Sequence, residues 1–517
     1  MARTPLAGRL EEIAAAVARD EDAASEGRTR REFLRQAGAA GAAATAAGAL
    51  WRVPLAAGAD GPRIVVVGGG LAGLTCAYRL RQAGHIAKVH EASDRLGGRC
   101  WTIRNYFAGD QIAEHGGELI DQGHAEIRHL AKELDLTLDN LLSAEANGTE
   151  PLYYFDEAPY TYDEARADIK NVWQKIHKDV SAASYPTTFE ISTERGRALD
   201  QMSIIDWINE SVPGGMGSRL GQLLDVAYTI EYGADSSEQS ALNLLYLLGY
   251  LGQGNLRIFG PSNEKYRVHG GNDRLVKRLR DALSGQIERS SELVAMELRP
   301  DGAYSLSFRE GANTVTKVAD RVVLALPFSI LRTSVDISNA GFSELKQTAI
   351  AELGMGTNSK LHLQFNSRHW ETLGCNGETF SDEGYQNSWD VSRAQPGDRG
   401  ILVDYTGGTI GASLTGTAQA HATQFLGQIE PVLPGISTPG LWNGRATLDF
   451  WLGNPYTLGS YSYWKVGQYT EFSGIEGRRE GNCHFAGEHT SQDFQGYLNG
   501  AVETGERAAG EILADLK

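Results

Sequence analysis

Cysteine is scarce, with four residues in 517: Cys76, Cys100, Cys375 and Cys483. They are widely separated and show no C-x-x-C spacing. That argues against a structural zinc site and a disulfide framework, and no metal is expected. Positive charge is also in short supply: 48 Lys+Arg stand against 65 Asp+Glu, a net charge of −17. A general nucleic-acid or anionic-membrane binder needs a basic face, so both classes are disfavoured. The balance fits a merely soluble acidic protein as well as one that attracts cationic small molecules. No internal repeat or low-complexity tract follows residue 60. The Ala/Gly-rich run before it is too short and too weakly apolar for a stable membrane span. Glycine is abundant instead, 61 residues or about 12% against an average near 7%, which implies many tight turns and close backbone approaches. Hydrophobic residues at 41% and charged ones at 22% describe a globular chain with a large core. Its length suggests three or four units at about 150 residues each.

The first sixty residues read as an address. Thr29-Arg30-Arg31-Glu32-Phe33-Leu34-Arg35 is followed by an Ala/Gly run from Ala37 to Leu50 and by the small-residue site Ala57-Gly58-Ala59. This order resembles a bacterial twin-arginine (Tat) signal, which implies the Tat export machinery as a partner and a periplasmic or extracellular location. Residues 1–59 are therefore set apart from the fold.

The chain that follows opens a dinucleotide site. Ile64-Val65-Val66-Val67 is a β-branched run suited to a parallel strand buried on both faces. Gly68-Gly69-Gly70-Leu71-Ala72-Gly73 comes next, then a helical pattern through Leu80, then a second strand, Ala87 to His90, ending in Glu91. Gly68 permits a tight turn, Gly70 lets backbone approach a pyrophosphate, and Gly73 allows close helix–strand packing. The helix N-terminus offers unpaired N–H groups to phosphate, and Glu91 suits a ribose diol.

Directly after Glu91 stands Ala92-Ser93-Asp94-Arg95-Leu96-Gly97-Gly98-Arg99. Near the C-terminus stand Phe485-Ala486-Gly487-Glu488-His489-Thr490 and Gly496-Tyr497-Leu498-Asn499-Gly500-Ala501-Val502-Glu503-Thr504-Gly505. Together these segments resemble the flavin-containing amine oxidase family, relatives of monoamine, polyamine and L-amino-acid oxidases. The resemblance covers nearly all of residues 61–517 and is weakest at 122–250. It implies FAD as cofactor, with Gly68, Gly70, Ala72, Gly73, Glu91, Ala92, Arg95, Gly98, Arg99, Val294, Gly487, Glu488 and Leu498 around it. Arg95 and Arg99 are suited to phosphates, Val294 to the adenine and Glu488 to the ribityl chain. The final helix points its N-terminus at the flavin pyrimidine carbonyl. Family members with covalent flavin carry Cys where this chain has Ser460, so FAD is expected to be non-covalent.

The implied fold is α/β: a Rossmann-type FAD-binding domain (60–121, 255–330 and 451–517) interleaved with a mixed α+β substrate domain (122–254 and 331–450). Within it, Ile287 to Leu298 reads as one strand, Arg321–Pro327 as another, and Leu152–Phe155 as part of a hairpin.

The resemblance also names catalytic candidates. Ser359-Lys360-Leu361-His362-Leu363-Gln364-Phe365 is similar to the family strand whose lysine holds a water near flavin N5. Alternation sets Lys360, His362 and Gln364 on one face, and partial burial can lower a lysine's pKa for proton shuttling. Tyr461 and Tyr497 match the two aromatic walls that guide an amine, with Trp464 joining them or packing. For substrate binding, Leu119 stands where many L-amino-acid oxidases have a carboxylate-clamping arginine, although Arg104 remains an alternative clamp. Asp121 falls near an acid used by polyamine oxidases. The expected reaction is oxidation of an amine to an imine, hydrolysed to a carbonyl, with O2 reoxidising FAD to give H2O2. An L-amino-acid oxidase is the close alternative and a desaturase of the same fold a third. A redox-inert exported flavin-binding module is the reading from another class. A homodimer is left open.

Overall fold

The computed structural model describes residues 61–249 and 263–517. The expected twin-arginine segment, its apolar run and its small-residue site fall outside those residues. Among the described residues no helix is long and apolar enough to cross a membrane.

Two sheets organise the chain. The first is parallel and built from β1 (Ile64–Val67), β2 (Ala87–Glu91), β5 (Ile287–Arg289), β9 (Arg321–Leu324) and β16 (Cys483–Phe485) in spatial order β16-β9-β1-β2-β5. Numbered along the chain this is 5-4-1-2-3, the doubly wound order whose reversal beside β1 opens a crevice for a dinucleotide. β1 is buried on both faces, as its β-branched run requires. Ile64 and Val66 pack with helices α1 (Leu71–Gln82) and α6 (Leu498–Asp515). Val65 and Val67 pack against a second layer. That layer is the four-stranded sheet β8-β7-β6-β10, made of β6 (Glu292–Leu298), β7 (Tyr304–Glu310), β8 (Asn313–Ala319) and β10 (Asp336–Asn339).

One expectation is corrected here. Residues Ile287 to Leu298 are two strands, not one. Ser290 adopts φ +54°, and its N–H and that of Ser291 donate to the carbonyls of Ser93 and Glu91. The kink moves the chain from the parallel sheet to the second layer.

The other large sheet is mixed, in order β15-β11-β14-β13-β12-β3-β4. Its strands are β3 (Glu150–Phe155), β4 (Ala158–Tyr160), β11 (Ser359–Phe365), β12 (Cys375–Ser381), β13 (Asn387–Asp390), β14 (Gly400–Thr406) and β15 (Trp442–Phe450). The β3–β4 hairpin turns on Asp156 and Glu157, both at φ +55°, the mirror-image turn that suits strand twist. One face of the sheet is covered by α5 (Ala418–Ile429), against which Leu361, Leu363 and Phe365 of β11 pack. The alternate residues Lys360, His362 and Gln364 therefore face the parallel-sheet side. Helices α2 (Tyr162–Ala183), α3 (Arg219–Tyr232) and their neighbours over 194–248 complete the layer, and α4 (Asp273–Ala282) packs on α1.

Candidate active site

A cavity enclosing about 1740 Å³ of empty space, part of it open to solvent, runs from the β1–α1 turn to the mixed sheet. At one end Gly70, Leu71 and Ala72 form the wall where α1 begins. No side chain caps that helix, so its first N–H groups are left for a ligand. A Cβ built on Gly70 meets nothing within 4 Å, and one on Gly98 meets only the Gly70 Cα at 3.6 Å: the backbone leaves this space clear. Gly73 differs, since its Cβ would come within 2.0 Å of the Gly68 carbonyl oxygen. It serves helix–strand contact and is not on the wall. Glu91 lies on the wall, with Oε2 accepting from Gly69 N at 2.8 Å and Oε1 from Ser93 N at 2.9 Å. The start of α6 also lacks a side-chain cap and presents Leu498 and Ala501. Two uncapped helix ends, a clear glycine cradle and a wall carboxylate fit a dinucleotide.

Gly68, Ala92, Arg99, Gly487 and Glu488 are on the wall too. Glu488 is the organiser of this region. Its Oε1 accepts from Arg99 Nη1 at 2.7 Å, and its Oε2 accepts from Ser462 Oγ and Gly496 N, both at 2.8 Å. Burial opposes ionisation, but the Arg99 charge and these bonds hold the carboxyl at about 2. Ser460, where a thioether would need cysteine, hydrogen-bonds Asn358 Oδ1 at 2.6 Å and passes its carbonyl to Arg99.

Besides Gly73, two cofactor candidates are off the wall. Arg95 stacks its guanidinium 4.1 Å over the Trp101 ring and faces a separate cleft with Asp94 and Arg289. Val294 is also absent from the wall, which Ser291, Glu292 and Leu293 line.

At the far end the cavity is aromatic and acidic. Lys360, Tyr461, Tyr497 and Leu119 are brought together there. Tyr461 Oη lies 2.7 Å from Tyr405 Oη and donates to the Ile230 carbonyl at 3.1 Å. Trp389 meets Tyr405 edge-on at 5.1 Å. Lys360 is buried and ion-paired with Glu118 at 2.9 Å. Glu264 adds a buried carboxyl whose Oε2 has no hydrogen-bond partner among the described residues. Burial, then the like charges of Asp121, Glu231 and Glu378, push its pKa well above the usual carboxylate range.

Three further candidates do not reach this wall. Asp121 is buried behind it, accepting from Glu264 N at 2.6 Å and pairing with His124 at 3.3 Å. Trp464 sits in the core against Tyr469 and Phe472, with ring centroids 5.1 and 5.7 Å away. Arg104 binds Asp273 and the Gly270 carbonyl. Conversely, Glu118, Trp389, Tyr405 and Glu264 went unread as wall residues. Tyr405 and Trp389 arrive through strand pairing, Lys360 lying opposite Tyr405 in the β11–β14 register, and that register has no local sequence signal.

Comparison with known proteins extends these observations. A family model described as flavin containing amine oxidoreductase matches residues 71–513. Nicotine dehydrogenase of Pseudomonas putida is 25% identical over 512 residues, 95% of this chain and 98% of that protein. The L-amino-acid oxidase of Siganus canaliculatus is 26% identical over 472 residues, 87% of this chain and 85% of that protein. In structure, cyclohexylamine oxidase from Brevibacterium oxydans superposes with a TM-score of 0.74 at 20% identity, covering 88% of this chain and 99% of that one.

Proposed function

The chain belongs to the family of flavin containing amine oxidoreductases, and from that premise we propose that it oxidises an amine lacking a carboxylate, with non-covalent FAD, O2 as acceptor and H2O2 as product. One observation carries the choice of substrate. Among the described wall residues the permanent cations are Arg99 and Lys360, and each is already matched, Arg99 by Glu488 at 2.7 Å and Lys360 by Glu118 at 2.9 Å. A substrate carboxylate finds no unmatched cation there, whereas Glu264 leaves a carboxyl oxygen open to accept a hydrogen bond from an amine N–H. Acid-lined walls also raise the local concentration of cationic amines.

FAD, when bound, supplies the hydride acceptor and the route of electrons to oxygen. The protein's residues do the rest. The uncapped start of α1 and the Gly70–Gly98 cradle would hold the diphosphate, the uncapped start of α6 would face the flavin pyrimidine carbonyl, and Glu91 would take the ribose. Arg99 and Glu488 set the geometry beside Ser460, whose hydroxyl forms no thioether. Tyr461, steadied by Tyr405, and Tyr497 orient the amine between two aromatic faces and exclude water. Export of the folded flavoprotein through residues 1–59 is part of the same proposal. A reporter fused to that segment should leave the cytoplasm, and should not when Arg30 and Arg31 are both replaced by Lys.

The assay is peroxide formation by FAD-loaded enzyme across a panel of amines and L-amino acids. Peroxide with amines alone supports the reading. Peroxide with L-amino acids alone replaces it by the L-amino-acid oxidase alternative, and none with any substrate favours a non-oxidase role.

A further inference from the structure

The Lys360 ammonium has three N–H bonds to place, and all three are met from one short segment. Nζ lies 2.9 Å from Glu118 Oε2, 3.0 Å from the Gly116 carbonyl and 3.3 Å from the Glu114 carbonyl. Both side chains of the pair are buried, at 6% and 3% exposure, and both residues line the cavity. Glu118 is itself held: its Oε1 lies 3.5 Å from Trp389 Nε1, and the Trp389 ring sits 5.4 Å from the ammonium. The other ionisable groups around Lys360 do not rival Glu118. Glu114 is pushed up to about 8 by burial, while its carboxyl accepts from Asn272 N and Thr102 Oγ1. His115 is matched by Asp449 at 2.6 Å, on the strand position opposite Lys360. His362, on the same face of β11, is held neutral by burial and by the Lys360 charge. Tyr405, opposite on β14, is bonded to Tyr461.

We propose that Glu118 is a positioning residue that pins the Lys360 ammonium to the 114–118 backbone and cancels its charge, so that reoxidation of the reduced flavin by O2 proceeds beside a neutral pair and not beside a lone cation. The inference rests on the flavin site proposed above. In the step concerned, O2 takes two electrons and one proton from the reduced flavin and a second proton from solvent, leaving as H2O2. A lone ammonium in a water-poor cavity would favour the negative charge that gathers on oxygen. Paired at 2.9 Å, it presents only the field of a dipole. With all three N–H bonds engaged, it has none left for a bridging water or for oxygen. Glu118 thereby acts as a brake on the oxygen half-reaction.

The test uses FAD-loaded enzyme reduced chemically, without any substrate, so that its outcome is separate from whether amines are oxidised. Glu118→Gln should be reoxidised about tenfold faster than the wild type at pH 6. Glu118→Asp should return most of the way to the wild-type rate. In a Lys360→Met background, Glu118→Gln should change the rate less than twofold. A Glu118→Gln rate equal to or below the wild type's at pH 6, or an undiminished effect in the Lys360→Met background, overturns the proposal. The FAD-free protein supplies a second readout. Each single variant should lower the melting midpoint, and the double variant should lose clearly less than their sum, because each single change strands a buried charge. Strict additivity would also overturn it.

Discussion

Gly70→Ala separates cofactor binding from folding. Gly70 has φ −74° and ψ 179°, a conformation open to alanine, and the added methyl would meet nothing within 4 Å among the described residues. It would project into the clear space before the uncapped start of α1. In the FAD-free protein, the weaker cap that Ala makes is offset by the lower chain entropy of the unfolded state, leaving stability within about 0.5 kcal/mol. With FAD present, the methyl stands where the diphosphate must approach backbone. An overpacking penalty of about 1–3 kcal/mol then corresponds to roughly a 5- to 150-fold loss of affinity. Gly73→Ala is the contrast. Its methyl would lie 2.0 Å from the Gly68 carbonyl oxygen and 3.0 Å from Val66 Cγ1, contacts made partly with backbone that no rotamer can relieve. It should lower the melting midpoint of the FAD-free protein outright. The assay is thermal melting without FAD combined with FAD titration followed by flavin fluorescence. A Gly70→Ala protein that binds FAD as tightly as the wild type would refute the placement of the diphosphate at this helix.

Other predictions follow from the far end and the core. Glu264→Gln should raise KM for an amine substrate about tenfold with kcat little changed, the pattern of a lost binding contact, read from initial rates. Asp404 is buried, with its pKa pushed up to about 8 by burial alone and Oδ1 without a hydrogen-bond partner among the described residues. Its protonated form is favoured in the fold, so its contribution to stability is present below the usual carboxylate range and is lost as pH rises through about 8. Asp404→Asn should therefore gain a few kcal/mol over the wild type at pH 9 relative to pH 5, measured by urea unfolding at both. Trp464→Ala should cost about 3–5 kcal/mol of stability. In whatever folds, KM should be unchanged, because the ring packs in the core and not on the cavity wall.

The parts of the fold that were legible in sequence are local ones. The β1–glycine–α1–β2–Glu91 unit is contiguous, and each residue type has a steric or hydrogen-bonding reason to be there. The same holds for the alternation of β11, which sets Lys360 apart from Leu361 and Leu363. What was not legible depends on contacts between distant segments. Glu118 could be seen only as an acid beside Leu119 until β11 was placed across the 114–118 backbone. Trp389 and Tyr405 needed the register of three strands. The stacking of the Arg95 guanidinium on Trp101, six residues later, likewise shows only in the fold. The Ile287–Leu298 run is apolar enough for one strand, and the left-handed Ser290 that divides it gives no compositional warning.

The most direct measurement is the visible absorbance of the FAD-loaded protein on anaerobic addition of an amine without a carboxylate. The account predicts that the oxidised flavin band bleaches with such an amine and survives L-amino acids. A flavin that stays oxidised with every amine, or one bleached only by L-amino acids, would contradict it.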